Sequence, residues 1–293
     1  MSLGDQIVQI LISGITSGCI YAIVGLGIAV VYNVTRIFDV SQGQYLMLSA
    51  MLVALFRSYG LSLGSSLGLA IVISVAVGLL IWRIIFYGAS QKHSSLTLIM
   101  MTFGVASLIE GIAFIVFGTD VRMTSYYVRM PPIRIFKATM SPQAPIIYGV
   151  LLLTVIGLSF LFGRSIIGKA LRACHEQPFA ARLMGINPRR MMYLSFVMAV
   201  GLSAIGGMAM VPLTTASYNM GMHFIIKGFL ASIVGGISRF EGVIAGGLAL
   251  GLLESAAAGF ISSSYASVIA LTFFVIVLLF RPTGILGAKE IRT

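Results

Sequence analysis

The run Gly163-Arg164-Ser165-Ile166-Ile167-Gly168-Lys169-Ala170 matches the phosphate-cradling pattern G-x-x-x-x-G-K and fails only at the position that follows. In a nucleotide site that position carries a Ser or Thr hydroxyl that ligates magnesium, and the loop leaves a buried strand. Ala170 has no hydroxyl, and an apolar run of helix length precedes the loop, so the match is not read as a nucleotide site. No other nucleotide signature occurs in the chain, and any ATP must be handled by a partner. His93, His175 and His223 fall in separate segments, without metal-ligand spacing or a neighbouring nucleophile. That leaves no basis for an intramembrane enzyme or a metal site. Cys19 lies in an apolar run and Cys174 in a basic loop, so both are read as packing residues and no disulfide is expected.

Four carboxylates stand in unusual places. Glu110 and Glu254 lie inside apolar runs, while Asp39 and Glu241 lie at two breaks between runs. An ionised carboxylate in hydrocarbon is costly, so each must face protein or a water-filled cavity. Glu254, between Gly251 and Ala256, either lines a path or bonds a neighbouring helix. Glu110, with no break beside it, is expected to bond within the bundle.

The elements that must position these groups follow from composition. Of 293 residues, 58% are hydrophobic and only 9% charged, so the chain cannot cover itself with polar surface. Apolar stretches long enough to cross a hydrocarbon core of about 30 Å recur from end to end, for example Ile7–Val31, Leu96–Gly118, Ile146–Gly163 and Met191–Val211. They exceed the length of barrel strands and lack alternation, so the spans are helices. The expected fold is an all-α polytopic membrane protein, a single transmembrane domain over residues 1–293. Two segments are short: Tyr45–Phe56, after the polar stretch Asn33–Gln44, and Phe224–Ile237, which ends near Gly235-Gly236. Counting each as a crossing gives about nine spans. The two interruptions, Asn33–Gln44 and Gly235–Gly242, are either broken helices that face a substrate path or ordinary turns. Glycines four apart, at Gly14/Gly18, Gly60/Gly64/Gly68, Gly242/Gly246 and Gly247/Gly251, suit close helix contact.

A formal charge of +11 could point to nucleic acid, but the basic residues sit in short loops between apolar spans, the positive-inside pattern. Most of them fall on the side of the Arg164–Arg190 loop, which is therefore expected to be cytoplasmic, with the N-terminus outside and the C-terminus inside. Met1–Gln6 has no Lys or Arg, so the first span is expected to persist rather than be removed as a signal peptide. Within the basic loop, Pro178 suits a first helical position and Gly185 the residue after a helix end. Asn187 then caps a new helix that starts at Pro188. A short capped helix flanked by Arg172, Arg182, Arg189 and Arg190 suits docking in another protein's groove. Attraction to anionic lipid heads is the plainer alternative.

Phe179-Ala180-Ala181-x-x-x-Gly185 resembles the E-A-A-x-x-x-G loop by which importer permeases engage their ATPase subunits, with Phe179 in place of Glu. Phe38-Asp39-Val40-Ser41-Gln42-Gly43-Gln44 is similar to the I-N-F-A-H-G-E segment of the branched-chain amino acid permease family, Ile233-Val234-Gly235-Gly236-Ile237 to its V-L-G-G-I, and Pro282-Thr283-Gly284-Ile285-Leu286-Gly287 to its P-T-G-I-L-G. The matches stand in the family's order over nearly the whole chain, and the length resembles the shorter of its two paired permeases. The resemblance implies an ABC importer permease fold in the bacterial inner membrane, moving branched-chain amino acids or similar small acids. It implies as partners a second homologous permease forming a heterodimer, two ATP-binding cassette ATPases that carry ATP and magnesium, and a periplasmic binding protein. This chain would itself bind no cofactor and no nucleic acid and would catalyse no chemistry. The ATPase-coupling residues would be Arg172, Phe179, Ala180, Ala181, Arg182 and Gly185 within the 164–190 loop. The translocation path would draw on Asp39, Gln42, Gly43, Gly235, Gly236 and Glu254. Asp39, Gln42 and Gln44 depart from the family's Asn, His and Glu, which bears on the substrate. The competing reading is a self-sufficient proton-coupled carrier of small organic acids using Glu110 or Glu254.

Overall fold

The computed structural model describes residues 3–86, 95–135, 137–280 and Gly284. His93 and Lys289, with the rest of the Pro282–Gly287 motif, lie outside the described residues. Eleven α-helices carry the described chain: α1 (Leu3–Thr35), α2 (Gln42–Ser58), α3 (Leu63–Ile81, extended by a π-turn at Trp82–Phe86), α4 (Ser95–Phe117), α5 (Ala144–Arg164), α6 (Ile166–Glu176), α7 (Pro178–Leu183), α8 (Pro188–Met210), α9 (Met220–Gly235), α10 (Phe240–Phe260) and α11 (Ala266–Phe280). A two-stranded hairpin, β1 (Ile133–Ile135) with β2 (Ala138–Met140), pairs Ile133 with Met140. Among the described residues, six helices are long and apolar enough to cross a membrane: α1, α3, α4, α5, α8 and α10. The apolar helices α9 and α11 are shorter, and α2 runs for 17 residues, so the two short segments expected from the sequence are helices.

At 33 residues, α1 is about 50 Å long and serves as the mast of the bundle. From Gly18 to Val31 it is enclosed on all sides by α8, α9 and α10 and by the buried face of α2. Its apolar content therefore packs protein, whereas the outer helices turn theirs outward: Ile112 and Ile115 on α4, Leu153 and Ile156 on α5, and Leu279 on α11 are more than half exposed. In lipid such faces need no cover, and close helix contact must come from shape rather than from the hydrophobic effect. Small residues supply that shape between α1 and α10. A Cβ added at Gly18 would lie 2.8 Å from Leu248 Cα, and one at Gly251 would lie 2.3 Å from Gly18 N. Gly242 and Gly246 press in the same way on Gly235 and Ala231 of α9. Gly60, Gly64 and Gly68, expected on spacing alone to be a contact face, meet nothing within 4 Å among the described residues.

The two ends of the bundle differ. At one end Gln9 of α1 exchanges two hydrogen bonds with the backbone of Thr139, Arg122 bridges Ala216, and Gln143 Nε2 donates to Ala209 O at 2.8 Å. At the other end lie α6, α7 and the α9–α10 turn, where Asn33 Nδ2 donates to Ile237 O at 3.2 Å. That bond brings together the two interruptions seen in the sequence. Gly284 completes this end. With φ +81°, it sits so close that a Cβ would come within 2.6 Å of Ile233 O and 2.8 Å of Gly236 N. The only part of the P-T-G-I-L-G motif that is described thus packs on the V-G-G-I turn.

Candidate functional site

The first interruption is an elbow. α1 ends where Arg36 takes φ +59°, and Ile37 N donates to Thr35 Oγ1. Asp39 then does the capping that Ser41, itself helical and without a side-chain cap bond, does not. Asp39 Oδ1 accepts from Ser41 N at 3.0 Å and from Ser41 Oγ, and Oδ2 accepts from Gln42 Nε2 at 2.6 Å. Gln42 Oε1 in turn accepts from Ser203 Oγ of α8 at 2.9 Å. A buried carboxylate at the first turn of α2, with every bond accounted for, pins the elbow to the bundle. Gly43 lies against α9: a Cβ there would be 2.3 Å from Gly221 O. Gln44 reaches Glu110 of α4 at 3.4 Å and leaves its own Oε1 buried without a partner among the described residues.

Beside the elbow a cavity of about 410 Å³ opens between α1, α4 and α9. Its walls are Ile28, Phe38, Val40, Ile99, Phe103 and Phe229, with Asp39 at its edge. Asp39 is buried and its carboxylate is taken up by Ser41 and Gln42, so the branched and aromatic walls present an apolar lining that suits an aliphatic group. Of the residues expected to line a path, Asp39, Gln42 and Gly43 therefore come together at the elbow. Gly235 and Gly236 stand apart at the α9–α10 turn, where Gly236 takes φ +98°.

Glu254 belongs to a third place. Its Oε1 pairs with Lys227 Nζ at 2.6 Å, its Oε2 accepts from Tyr21 OH at 2.6 Å, and Ser267 Oγ donates to it as well. Lys227 also donates to Tyr21 OH at 3.0 Å, so four side chains from α1, α9, α10 and α11 form one network. Sequence reasoning gave Lys227, within the short Phe224–Ile237 segment, no partner. The structure puts it inside α9, 6% exposed. The available signal was that Lys227 is bracketed by Ile225-Ile226 and Phe229-Leu230, so a lysine there needs a buried partner.

The basic loop is an arm built from α6 and α7. Ser165 Oγ caps α6 by accepting from Ile167 N, and a Cβ at Gly168 would meet Leu161 O of α5. The glycine and lysine of the phosphate-loop match thus lie in the first turn of a helix that follows directly on another helix, and Gly168 is there for the tight α5–α6 corner. α7 runs from Pro178 to Leu183, and Gly185 follows with φ +81°, as the Pro and Gly signals indicate. Ile186 N bonds back to Ala181 O, and Asn187 Oδ1 accepts from the amides of Arg189 and Arg190 to start α8. Ala181 is only 4% exposed and faces its own chain, while Phe179 and Leu183 are 74% and 75% exposed and Met184 stands out beside them. Ala180, Arg172 and Arg182 are exposed too. Burial raises the Cys174 thiol above its ordinary range, which keeps it unreactive. Burial and the nearby Arg36 lower His175, which is therefore neutral at physiological pH.

The family model described as branched-chain amino acid transport system / permease component matches residues 10–278, nearly the whole bundle with the elbow, the network and the arm. The chain belongs to this family. Among its permease relatives, the high-affinity branched-chain amino acid transport system permease protein BraD of Pseudomonas aeruginosa is 27% identical over 97% of this chain and 96% of its own length. LivH of Escherichia coli, of the same description, is 28% identical over 97% and 96%. A probable branched-chain amino acid transport permease protein LivH of Methanocaldococcus jannaschii is 26% identical over 97% and 93%. The solved structure of PsaBC from Streptococcus pneumoniae in complex with Fab shares the fold, with a TM-score of 0.52 over 94% of this chain and 92% of that one at 16% identity. The permease family's ABC importer fold is thus present here, all-α and polytopic.

Proposed function

We propose that this chain is the membrane-spanning subunit of an ATP-driven importer that moves branched-chain amino acids, or small acids like them, across a bacterial inner membrane. The relatives' activity and the apolar cavity at Asp39 support the substrate class. The observation that carries the reading is the arm, where a six-residue helix opened by Pro178 and closed by Gly185 holds Phe179 and Leu183 out from the basic end of the bundle. Exposed apolar anchors of this kind rarely stand alone on a polar surface and fit a partner's groove. In this reading the whole chain is one permease domain and residues 164–190 are its coupling loop. Two ATPases dock on the arm and hold ATP and magnesium, a second homologous permease completes the membrane part, and a periplasmic binding protein delivers substrate to the opposite end. Glu254, already bound to Lys227, Tyr21 and Ser267, favours this reading over a proton-coupled carrier.

Purified in mild detergent, the chain is expected to bring down a second permease and two ATPase polypeptides, and leucine uptake by the reconstituted complex is expected to require ATP. Uptake by this chain alone without ATP would refute the reading. The same reading places the arm and the C-terminus in the cytoplasm. A cysteine at exposed Lys169 should escape a membrane-impermeant thiol reagent in intact cells, and one at Met123, 80% exposed at the opposite end, should react. Cys19 and Cys174 are buried and give little background. Labelling at Lys169 from outside would invert the topology.

A further inference from the structure

A second cavity, about 400 Å³, lies at the arm's end of the bundle and takes no part in the elbow or in the exposed face of α7. It is walled by Asn33 at the foot of α1, by Phe162 of α5, by Arg172, His175 and Glu176 of α6, and by residues 238–241 where α10 begins. Four of its side chains are charged. Arg172 and Arg239 balance Glu176 and Glu241, and among the described residues none of the four makes an ion pair within 4 Å. The amides at the start of α10 lack a side-chain cap, since Arg239 occupies the cap position in an extended conformation. His175 Nδ1 is buried at this cleft and without a partner among the described residues.

Each wall selects part of a ligand. The uncapped helix start and the two guanidinium groups favour a carboxylate. The two glutamates favour an ammonium group, and Phe162 and Phe240 offer an apolar surface. Because the charges cancel, a phosphate or an anionic lipid head would leave both glutamates opposed, whereas a zwitterion satisfies both signs.

We propose that this cleft is a regulatory site for a zwitterionic α-amino acid on the arm's side of the membrane, and that its occupant ties α6 to the start of α10. It rests on the importer reading given above, in which that side is the cytoplasm and the delivered amino acid accumulates there. Movement of the arm against the bundle is what would couple ATP hydrolysis to transport. A ligand that bridges the two slows import once product has built up, as a negative coupling between two sites.

The test uses the complete transporter in liposomes with the ATPases and ATP inside and the binding protein and labelled leucine outside. Unlabelled leucine loaded inside is expected to lower the initial uptake rate about fivefold or more. Internal leucinol, which lacks the carboxylate, and internal 4-methylpentanoate, which lacks the ammonium group, are expected to do little. Glu241→Gln and Arg239→Gln are expected to keep the uptake rate seen with empty liposomes and to lose the inhibition. Loss of ATP-driven uptake in empty liposomes by the unaltered protein would sink the importer reading instead. Wild-type uptake indifferent to internal leucine overturns the site. So does inhibition that survives both substitutions, or that 4-methylpentanoate reproduces. Variants that no longer assemble with the ATPases would show that the cleft is an ATPase contact, which overturns it equally.

Discussion

Lys227→Met is expected to destabilise the bundle by about 3–5 kcal/mol, the cost of leaving one member of a buried ion pair without its partner. Glu254 would keep the hydroxyls of Tyr21 and Ser267 but lose the only cation within reach among the described residues. Because the network joins α1, α9, α10 and α11, the loss should appear as global loosening rather than local fraying. A thermal melt of the detergent-solubilised protein, followed by exposure of a buried cysteine to a thiol dye, measures it. Lys227→Met combined with Glu254→Leu should recover most of the loss, because an apolar pair replaces the ionic one. The Tyr21 and Ser267 hydroxyls, left without their acceptor, would retain a penalty of about 1 kcal/mol each. If the single variant melts with the parent, the network contributes nothing to stability and its role must be sought in transport.

Phe179→Asp together with Leu183→Asp is expected to reduce ATP-driven uptake by about tenfold or more, the equivalent of one lost anchor of roughly 1.4 kcal/mol or greater at an interface. Both side chains are three-quarters exposed, so the fold of the chain should not notice the change. Ala181→Asp is the contrasting case. Ala181 is buried against its own chain, and a carboxylate there should damage the arm itself, lowering expression and stability along with transport. Uptake and ATPase assays in liposomes, with complex assembly scored separately, distinguish the two. Normal uptake by the doubly substituted protein would remove α7 from the coupling contact.

How much of this was legible beforehand depended on whether a feature was local. Helix α7 and the start of α8 were legible almost to the residue, because Pro178, Gly185 and Asn187 act on the backbone within one turn of themselves, whereas α6 was read only as loop. The helical class was legible because lipid leaves a chain of this composition no other way to satisfy its backbone. The helix expected before the phosphate-loop match is there, as α5, where a nucleotide site would have a strand. Glycine spacing alone, by contrast, did not separate Gly247/Gly251, which meet α1 at backbone distance, from Gly60/Gly64/Gly68, which meet nothing among the described residues. The same small residue marks both, and only the neighbour decides.

The sequence by itself determined an all-α membrane bundle, the two interruptions and the capped arm, since hydropathy and caps are properties of short windows. The tertiary structure alone decided which polar groups meet. Asn33 meets Ile237 across 204 positions and Tyr21 meets Glu254 across 233, and no periodicity spans such gaps. It decided that Lys227 is the buried partner of Glu254, and that Ala181 turns inward while Phe179 turns out. The physical reason is that a charge or a small side chain fits many environments until packing removes all but one, whereas backbone geometry and long apolar runs admit few from the start.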